Sequence, residues 1–149
     1  MSRIITIIAL FFATPAWSAG SYSYEPSASK LTNDAKKLIK KEKYSRAIEK
    51  LKKAKMEEPD NADVFNYLGF AHRKIVDYDN SKIFYEKALS IQPGHKLALE
   101  YQGELFLTLH DINAAQSNLS KLEALCPQGC DELEDLVIAI RKYIAEHED

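Results

Sequence analysis

The chain has 149 residues, a formal net charge of −2 at pH 7 and 46% hydrophobic residues. This length predicts one domain with a sufficient core of its own. Because nucleic-acid-binding domains usually need a basic face, the slightly acidic balance argues against nucleic acid as a partner. It also gives no polybasic segment for attachment to anionic membranes.

Residues 1–18 have the layout of a secretory signal peptide. Arg3 gives a positive start, residues 4–13 form an almost continuous apolar run, and Ala16 and Ser18 supply the small residues that a signal peptidase recognises. A run of about ten residues is shorter than the roughly 20 that a membrane-spanning helix needs. We therefore expect cleavage after Ser18, export to the periplasm or the medium, and no stable membrane insertion.

Residues 19–28 contain Gly, Ser, Tyr and Pro without a helical or a strand period. This composition is typical of a flexible leader, and we expect residues 19–28 to be one. Two tyrosines, Tyr22 and Tyr24, leave a contact role open for this segment.

From Ala28 onward the sequence repeats itself every 34 residues. The prolines after the leader have this spacing: Pro59, Pro93 and Pro127. The same step separates the members of two sets of small residues: Ala35, Gly69 and Gly103, and Ala47, Ser81 and Ala115. A strict period of this length is the signature of a helical repeat protein. The three repeat units are 28–61, 62–95 and 96–129.

Each unit predicts two helices. In the second unit, apolar residues recur at spacings of 3, 4 and 7 on both sides of an interruption at residues 77–80, as on one face of a helix. Asp79 is expected to cap the second helix, with Ser45 and Asn113 at the equivalent positions of the other units. The small residues are expected where the two helix axes come closest, because a larger side chain there would push the helices apart.

The second unit resembles the consensus of the tetratricopeptide repeat (TPR) family. The matching residues are Phe65, Leu68, Gly69, His72, Tyr78, Ser81, Tyr85, Ala88 and Pro93. The resemblance implies an all-α superhelix, or solenoid, of three helix pairs. Residues 130–147 then carry one apolar stripe, from Leu133 to Ile144, which we expect to form the capping helix that covers the open end of such a stack.

In the TPR family, the first helices of the pairs line a concave groove that binds other proteins. The resemblance places nine side chains in this groove: Lys36, Asn66, Tyr67, Phe70, Arg73, Lys74, Glu100, Tyr101 and Glu104. Aromatic residues among polar ones are typical of a binding surface, although Tyr67 and Tyr101 also suit packing between repeats. Some family members grip the carboxylates of chaperone tails with a Lys/Asn/Arg set. The matching positions here are Thr32, Lys36, Tyr67, Leu97 and Tyr101, so we do not expect that use.

Cys126 and Cys130 enclose Pro127, Gln128 and Gly129 in the link between the third unit and the capping helix. Thiols tend to pair in an oxidising compartment, and a loop with Pro and Gly lets the two sulfurs meet. We expect a structural disulfide that contributes roughly 2 kcal/mol. A copper site resembling the C-P-x-x-C motif of some exported copper chaperones, and a catalytic disulfide, stay open as alternatives.

The sequence lacks the common catalytic motifs. It has no Gly-rich phosphate loop, no H-E-x-x-H and no G-x-S-x-G, and we expect His72 to be a buried, hydrogen-bonded histidine rather than a ligand or a base. We therefore expect no catalysis, no cofactor and no metal. The leading hypothesis is an adaptor that binds a protein or peptide in the groove. The alternatives are a metal or redox carrier that uses Cys126 and Cys130, and a structural subunit of an envelope complex that uses the convex face.

Overall fold

The computed structural model describes residues 26–147, whose regular structure is entirely α-helical. The helices are α1 (Ala28–Lys40), α2 (Tyr44–Glu57), α3 (Ala62–Lys74), α4 (Tyr78–Ile91), α5 (Lys96–Thr108), α6 (Ile112–Leu125) and α7 (Asp131–His147). The predicted all-α solenoid of three helix pairs and a seventh helix is confirmed. The expected signal peptide, residues 1–18, and most of the expected leader, residues 19–28, lie outside the described residues.

The helices pack as three antiparallel pairs, α1 with α2, α3 with α4 and α5 with α6, and each pair rests on the next. The first helices of the pairs are also neighbours, because α3 contacts both α1 and α5. Helix α7 packs against α5 and α6, so it takes the place that the first helix of a fourth pair would have. The inner row of the solenoid therefore consists of α1, α3, α5 and α7, and this row carries the candidate site.

The paired helices come closest at the small residues that the sequence repeats. Ala35, Ala47 and Ala115 are fully buried. In the second pair, the buried Ser81 hydroxyl donates a hydrogen bond of 2.8 Å to the Gly69 carbonyl oxygen on the facing helix. A Cβ atom on Gly69 would lie 2.6 Å from Cδ1 of the buried Tyr85 ring. The structure thus confirms the physical reason for the small residues.

The predicted helix caps are wrong by two residues. Asp77, not Asp79, precedes α4, and Oδ1 of Asp77 accepts a hydrogen bond from the Asn80 backbone N–H at 3.4 Å. Asp111 caps α6 in the same way, and α2 begins directly after Lys43. The same turn precedes all three helices, because Lys43, Asp77 and Asp111 each donate a backbone hydrogen bond to the first helix of the pair. In the second unit, His72 Nδ1 also lies 2.8 Å from Oδ2 of Asp77.

This contact also accounts for His72 itself. The His72 side chain is buried and hydrogen-bonded, as the sequence predicts. The hydrogen bonds from the Asn80 side chain, and then from His72, lower the pKa of Asp77. Both residues therefore serve the start of α4 rather than a site.

The turn inside each pair uses a left-handed residue that is not glycine. Glu42, Val76 and His110 have φ values of 56°, 66° and 59°, and they too lie 34 residues apart. In each case the backbone N–H of the following residue donates a hydrogen bond to a carbonyl oxygen of the first helix, as Asp111 does to Phe106 at 2.8 Å. This turn brings His110 to the end of α5 that faces α7.

The structure brings Cys126 and Cys130 together at the junction of α6 and α7. Their sulfur atoms lie 2.17 Å apart and their Cα atoms 5.8 Å apart. Cys126 ends α6, and Cys130 directly precedes α7. The pair is therefore placed to fix the direction of α7, while its oxidation state in the cell stays a prediction.

Gly69→Ala tests the close approach of α3 and α4. Overpacking typically costs about 1–3 kcal/mol, and the higher helix propensity of alanine returns up to about 1 kcal/mol. We expect the variant to lower the free energy of unfolding by about 1–2 kcal/mol in urea denaturation. Gly94→Ala is the control, because the nearest atom to its added Cβ is Leu125 Cδ2 at 3.4 Å. Equal stability of the two variants would contradict this account.

Candidate functional site

A band of aromatic rings lies across the inner row of helices. The Phe70 ring centroid on α3 is 4.8 Å from that of Tyr101 on α5 and 6.4 Å from that of Tyr44 on α2. Tyr67 lies one turn before Phe70 on α3. Each of these four rings is half-buried, so the band packs against neighbouring helices and still presents apolar surface to the groove.

Cationic side chains lie over the aromatic band. The Arg73 guanidinium carbon is 5.7 Å from the Phe70 centroid and 5.9 Å from the Tyr101 centroid. The amino group of Lys74 is 5.3 Å from the Phe70 centroid, and that of Lys36 is 5.3 Å from the Tyr67 centroid. Such cation–π contacts hold the charged groups at the groove surface beside the rings.

Arg73 also joins α3 to α5 through an ion pair. Its guanidinium donates a hydrogen bond to Oε2 of Glu104. The Arg73 side chain is only 12% exposed, so this charge is enclosed by Glu104 and by the two rings. Arg73 is therefore a structural part of the groove as well as part of its surface.

A cavity of about 690 Å³ opens between α5 and α7, at the end of the groove beyond Arg73. Its polar and charged lining comprises Arg73, Glu100, Glu104, Thr108, His110, Asp135, Lys142, Tyr143, Glu146 and His147, and its apolar lining comprises Leu107, Ile138 and Ala139. His110 Nδ1 lies 3.1 Å from the Tyr143 hydroxyl. Four carboxylates therefore line this cavity together with Arg73 and Lys142.

Glu100 is the unusual member of the cavity wall. It is 5% exposed, and its carboxylate has no hydrogen-bond or ion-pair partner among residues 26–147. Burial, and then the negative charges of Glu104 and Asp135, raise the pKa of Glu100 from 4.5 to about 8. Burial and the nearby Glu100 likewise raise the pKa of Tyr101 to about 12.

The structure gathers most of the predicted groove residues into one surface. Phe70, Arg73, Lys74, Tyr101 and Glu104 contact one another around the α3–α5 contact. Lys36 and Tyr67 form a separate pair nearer α1, and Glu100 lies in the cavity wall. Asn66 differs, because it is fully buried and neither side-chain polar atom has a partner among the described residues.

Sequence reasoning missed the contribution of α7. Asp135, Lys142 and Glu146 line the cavity from α7, and His110 joins them from the turn after α5. The signal was present, because positions 135, 142 and 146 are separated by 7 and 4 and therefore share one helical face. The apolar stripe predicts only that this helix covers the stack, and it makes no prediction for the polar face.

The charges of the inner row differ between its two ends. Helix α1 carries four lysines against one aspartate. Helix α7 carries five carboxylates against one arginine and one lysine. Helix α1 is therefore the more basic end of the inner row and helix α7 the more acidic end, when all faces of each helix are counted.

The inner row of α1, α3, α5 and α7 has the same architecture as solved TPR domains. The TPR domain of Sgt2 from Aspergillus fumigatus superposes with a TM-score of 0.72 at 18% identity and covers 83% of each chain. The chain has the TPR fold. The TPR2B domain of yeast Sti1, in complex with pHsp70, gives 0.73 at 12% identity over 80% of this chain and 98% of that one.

A third TPR structure contains a defined peptide. The second TPR domain of human RPAP3, in complex with the HSP70 peptide SGPTIEEVD, gives a TM-score of 0.68 at 21% identity, covering 78% of this chain and 93% of that one. These identities show the fold, and the predicted resemblance to TPR domains is confirmed at that level. No protein-family model matches the sequence, and a comparison with curated proteins finds no match.

Two further observations bear on the other classes of site. Among residues 26–147, no group of three or more His, Cys, Asp or Glu side chains is arranged to hold a metal ion. Within the same range, none of the helices combines the length and the apolarity that crossing a bilayer requires.

Glu100→Gln tests the buried carboxylate. The folded-state pKa of about 8 lies above the 4.5 of the free side chain, so stability from this group is present below pH 4.5 and is lost as the pH rises through 8. Glutamine has no proton to lose. We expect the variant and the parent to unfold alike in urea at pH 5, and the variant to be more stable by about 1–3 kcal/mol at pH 8.5.

The control for this prediction is Glu86→Gln, which removes an exposed carboxylate from α4. Its effect should stay within about 0.5 kcal/mol at both pH values. A Glu100→Gln effect of the same size at pH 5 and pH 8.5 would contradict the burial of an unpaired carboxylate.

Proposed function

We propose that this chain is a non-catalytic protein-interaction module that holds an extended or helical segment of another protein along the inner row of its helices. The observation that carries the proposal is the half-buried aromatic band at Tyr67, Phe70 and Tyr101, with Arg73 and Lys74 beside it. Aromatic and arginine side chains dominate the binding energy of protein interfaces.

The rigidity of this surface favours binding. The rings are held by contacts with one another, and Arg73 is held by Glu104. A partner therefore meets side chains that lose little further conformational freedom, and a smaller entropic cost leaves more net affinity. The peptide complexes of the RPAP3 and Sti1 domains support the use of this fold for such a purpose.

The chemistry of the occupant differs from that in the RPAP3 complex. The peptide SGPTIEEVD has two glutamates and an aspartate near its end. The family positions that grip such carboxylates hold Thr32, Lys36, Tyr67, Leu97 and Tyr101 here. With one lysine in this set, an acidic tail finds few cationic partners, so we propose a partner of another composition.

The proposal includes a place of action, the periplasm or the medium outside the cell. It rests on the signal-peptide layout of residues 1–18 and on the paired Cys126 and Cys130. A disulfide is stable in an oxidising compartment and rare in the cytosol. The carrier alternative needs free thiolates at these two positions, and the structural-subunit alternative needs the convex face.

The variant Phe70→Ala/Lys74→Ala tests the groove. It removes a ring and a cation from the exposed side of α3 and leaves the Arg73–Glu104 pair in place. The probe is a library of random dodecapeptides displayed on phage, selected on immobilised protein. We expect the parent chain to enrich a peptide family, and the variant to bind a synthetic member at least tenfold more weakly, with an unchanged circular dichroism spectrum.

The matched control is Lys82→Ala/Ile83→Ala on the exposed face of α4, which also removes one cation and one apolar side chain. It should bind the same peptides as the parent. Failure of the parent to enrich any peptide would contradict the proposed function. Loss of binding in the α4 variant alone would instead favour the convex face and the structural-subunit alternative.

Two measurements on protein purified from the export compartment without reductant test its location and its cysteines. Intact mass should correspond to a chain that begins at Ala19. Titration with a thiol reagent should find no reactive thiol, and reduction should lower the free energy of unfolding by roughly 2 kcal/mol. Two reactive thiols before reduction would contradict the disulfide and favour the carrier alternative.

A further inference from the structure

The acidic cavity between α5 and α7 has a buried carboxylate with nothing to pair with. Glu100 is nine-tenths buried, lines the cavity, and has no hydrogen bond or ion pair within residues 26–147. Burying a charge without a partner is costly. A side chain of this kind at the wall of an open cavity marks a place where an external group can pair with it.

The cations already in the cavity are engaged elsewhere. Arg73 pairs with Glu104. The amino group of Lys142 lies 3.8 Å from Oε1 of Glu146 on the same helix. Glu100 and Asp135 are therefore left as two carboxylates without an ion pair or a hydrogen bond in the described chain, and the negative charge of Asp135 contributes to the raised pKa of Glu100.

The size and the lining of this open cavity suit a long side chain. Its volume of about 690 Å³ lies within the range of pockets that take small ligands. Leu107, Ile138 and Ala139 give it an apolar wall beside the carboxylates. Lysine and arginine have this combination, because their methylene stems pack on apolar surface while their charged ends reach polar groups.

We propose that the cavity receives a lysine or arginine side chain of the bound protein segment, whose charge pairs with Glu100 and Asp135. This inference rests on the proposed function, since the rest of the same segment lies along the aromatic band at Phe70 and Tyr101. The partner is thus a protein segment with a basic residue that follows an apolar or aromatic one. The charge preference is opposite to that of a groove that takes an acidic tail.

The phage library tests the inference directly. Selections are made at pH 8, with EDTA present to prevent bridging by metal ions, on the parent chain, on Glu100→Gln/Asp135→Asn and on the control Glu86→Gln. We expect the parent and the control to enrich peptides with Lys or Arg at a fixed distance from an apolar residue. The double variant should enrich peptides without that preference.

A synthetic peptide then isolates the contact. Replacing its Lys or Arg by norleucine should weaken binding to the parent at least tenfold and binding to the double variant less than twofold. Enriched peptides without Lys or Arg, or an equal loss in both proteins, would overturn the inference while leaving the groove function standing. No enrichment on the parent would overturn the proposed function, and the inference with it.

Proton release distinguishes a contact with Glu100 from general attraction to an acidic surface. The charged and titratable groups around Glu100 are Arg73 on α3, Glu104 and Tyr101 on α5, and Glu132 and Asp135 on α7. The raised pKa keeps Glu100 mostly protonated at pH 7, so an incoming cation must displace that proton.

For an arginine peptide, whose charge does not change in this range, affinity should rise about tenfold from pH 7 to pH 9. Calorimetry at pH 7 in two buffers of different ionisation enthalpy should show release of about one proton per peptide. Glu100→Gln should bind with neither effect. The same pH dependence in Glu100→Gln as in the parent would overturn the role of Glu100.

Discussion

The close approach of paired helices is the constraint on which the rest of this structure depends. Gly69 leaves room for the Tyr85 ring, and Ser81 bonds to the Gly69 carbonyl across the same contact. Helix α3 can contact both α1 and α5 only because the two helices of each pair lie this close together. That alignment brings Phe70 against Tyr101 and Arg73 against Glu104, which are contacts between residues about 30 positions apart in sequence. The groove surface is thus a consequence of small residues that lie behind it.

One residue of the cavity wall, Glu100, lowers the stability of the fold. A buried carboxylate that accepts no hydrogen bond favours its protonated form, because ionisation in that position has no compensating partner. Leucine or glutamine at position 100 would fill the space at lower cost. Arg73 does not solve the problem, since its guanidinium is bound to Glu104 and enclosed by two rings. The unpaired Glu100 carboxylate therefore lies at the open cavity, as is common where buried ionisable groups have a role in binding.

The sequence allowed the fold to be predicted because its information is periodic. Prolines and small residues 34 positions apart specify both the helix pairs and their contacts, and most of the groove residues follow from the register. The burial depth of each residue and its local contacts do not follow from the register. Asn66 belongs to the same register as Tyr67 but is fully buried. The caps at Asp77 and Asp111 follow turns at Val76 and His110 in a left-handed conformation, which a glycine in the sequence would have indicated. The face shared by positions 135, 142 and 146 is visible in the sequence, but the cavity that this face borders with α5 is not.

The same fold can bind segments of opposite charge, because the residues that set the helix packing are not the residues that face a bound segment. The helix packing depends on buried positions such as Gly69 and Ala115, whereas the binding contacts depend on the exposed faces of α1, α3, α5 and α7. Here Lys36 lies over Tyr67 towards α1, and four carboxylates line the cavity at α7 together with Arg73 and Lys142. A bound segment with charges of both signs would therefore have a preferred direction, with its acidic part over α1 and its basic part over α7. A segment bound in the reverse direction would place like charges together at both ends of the groove. Such repulsion disfavours the wrong orientation more strongly than the matched charge pairs increase affinity.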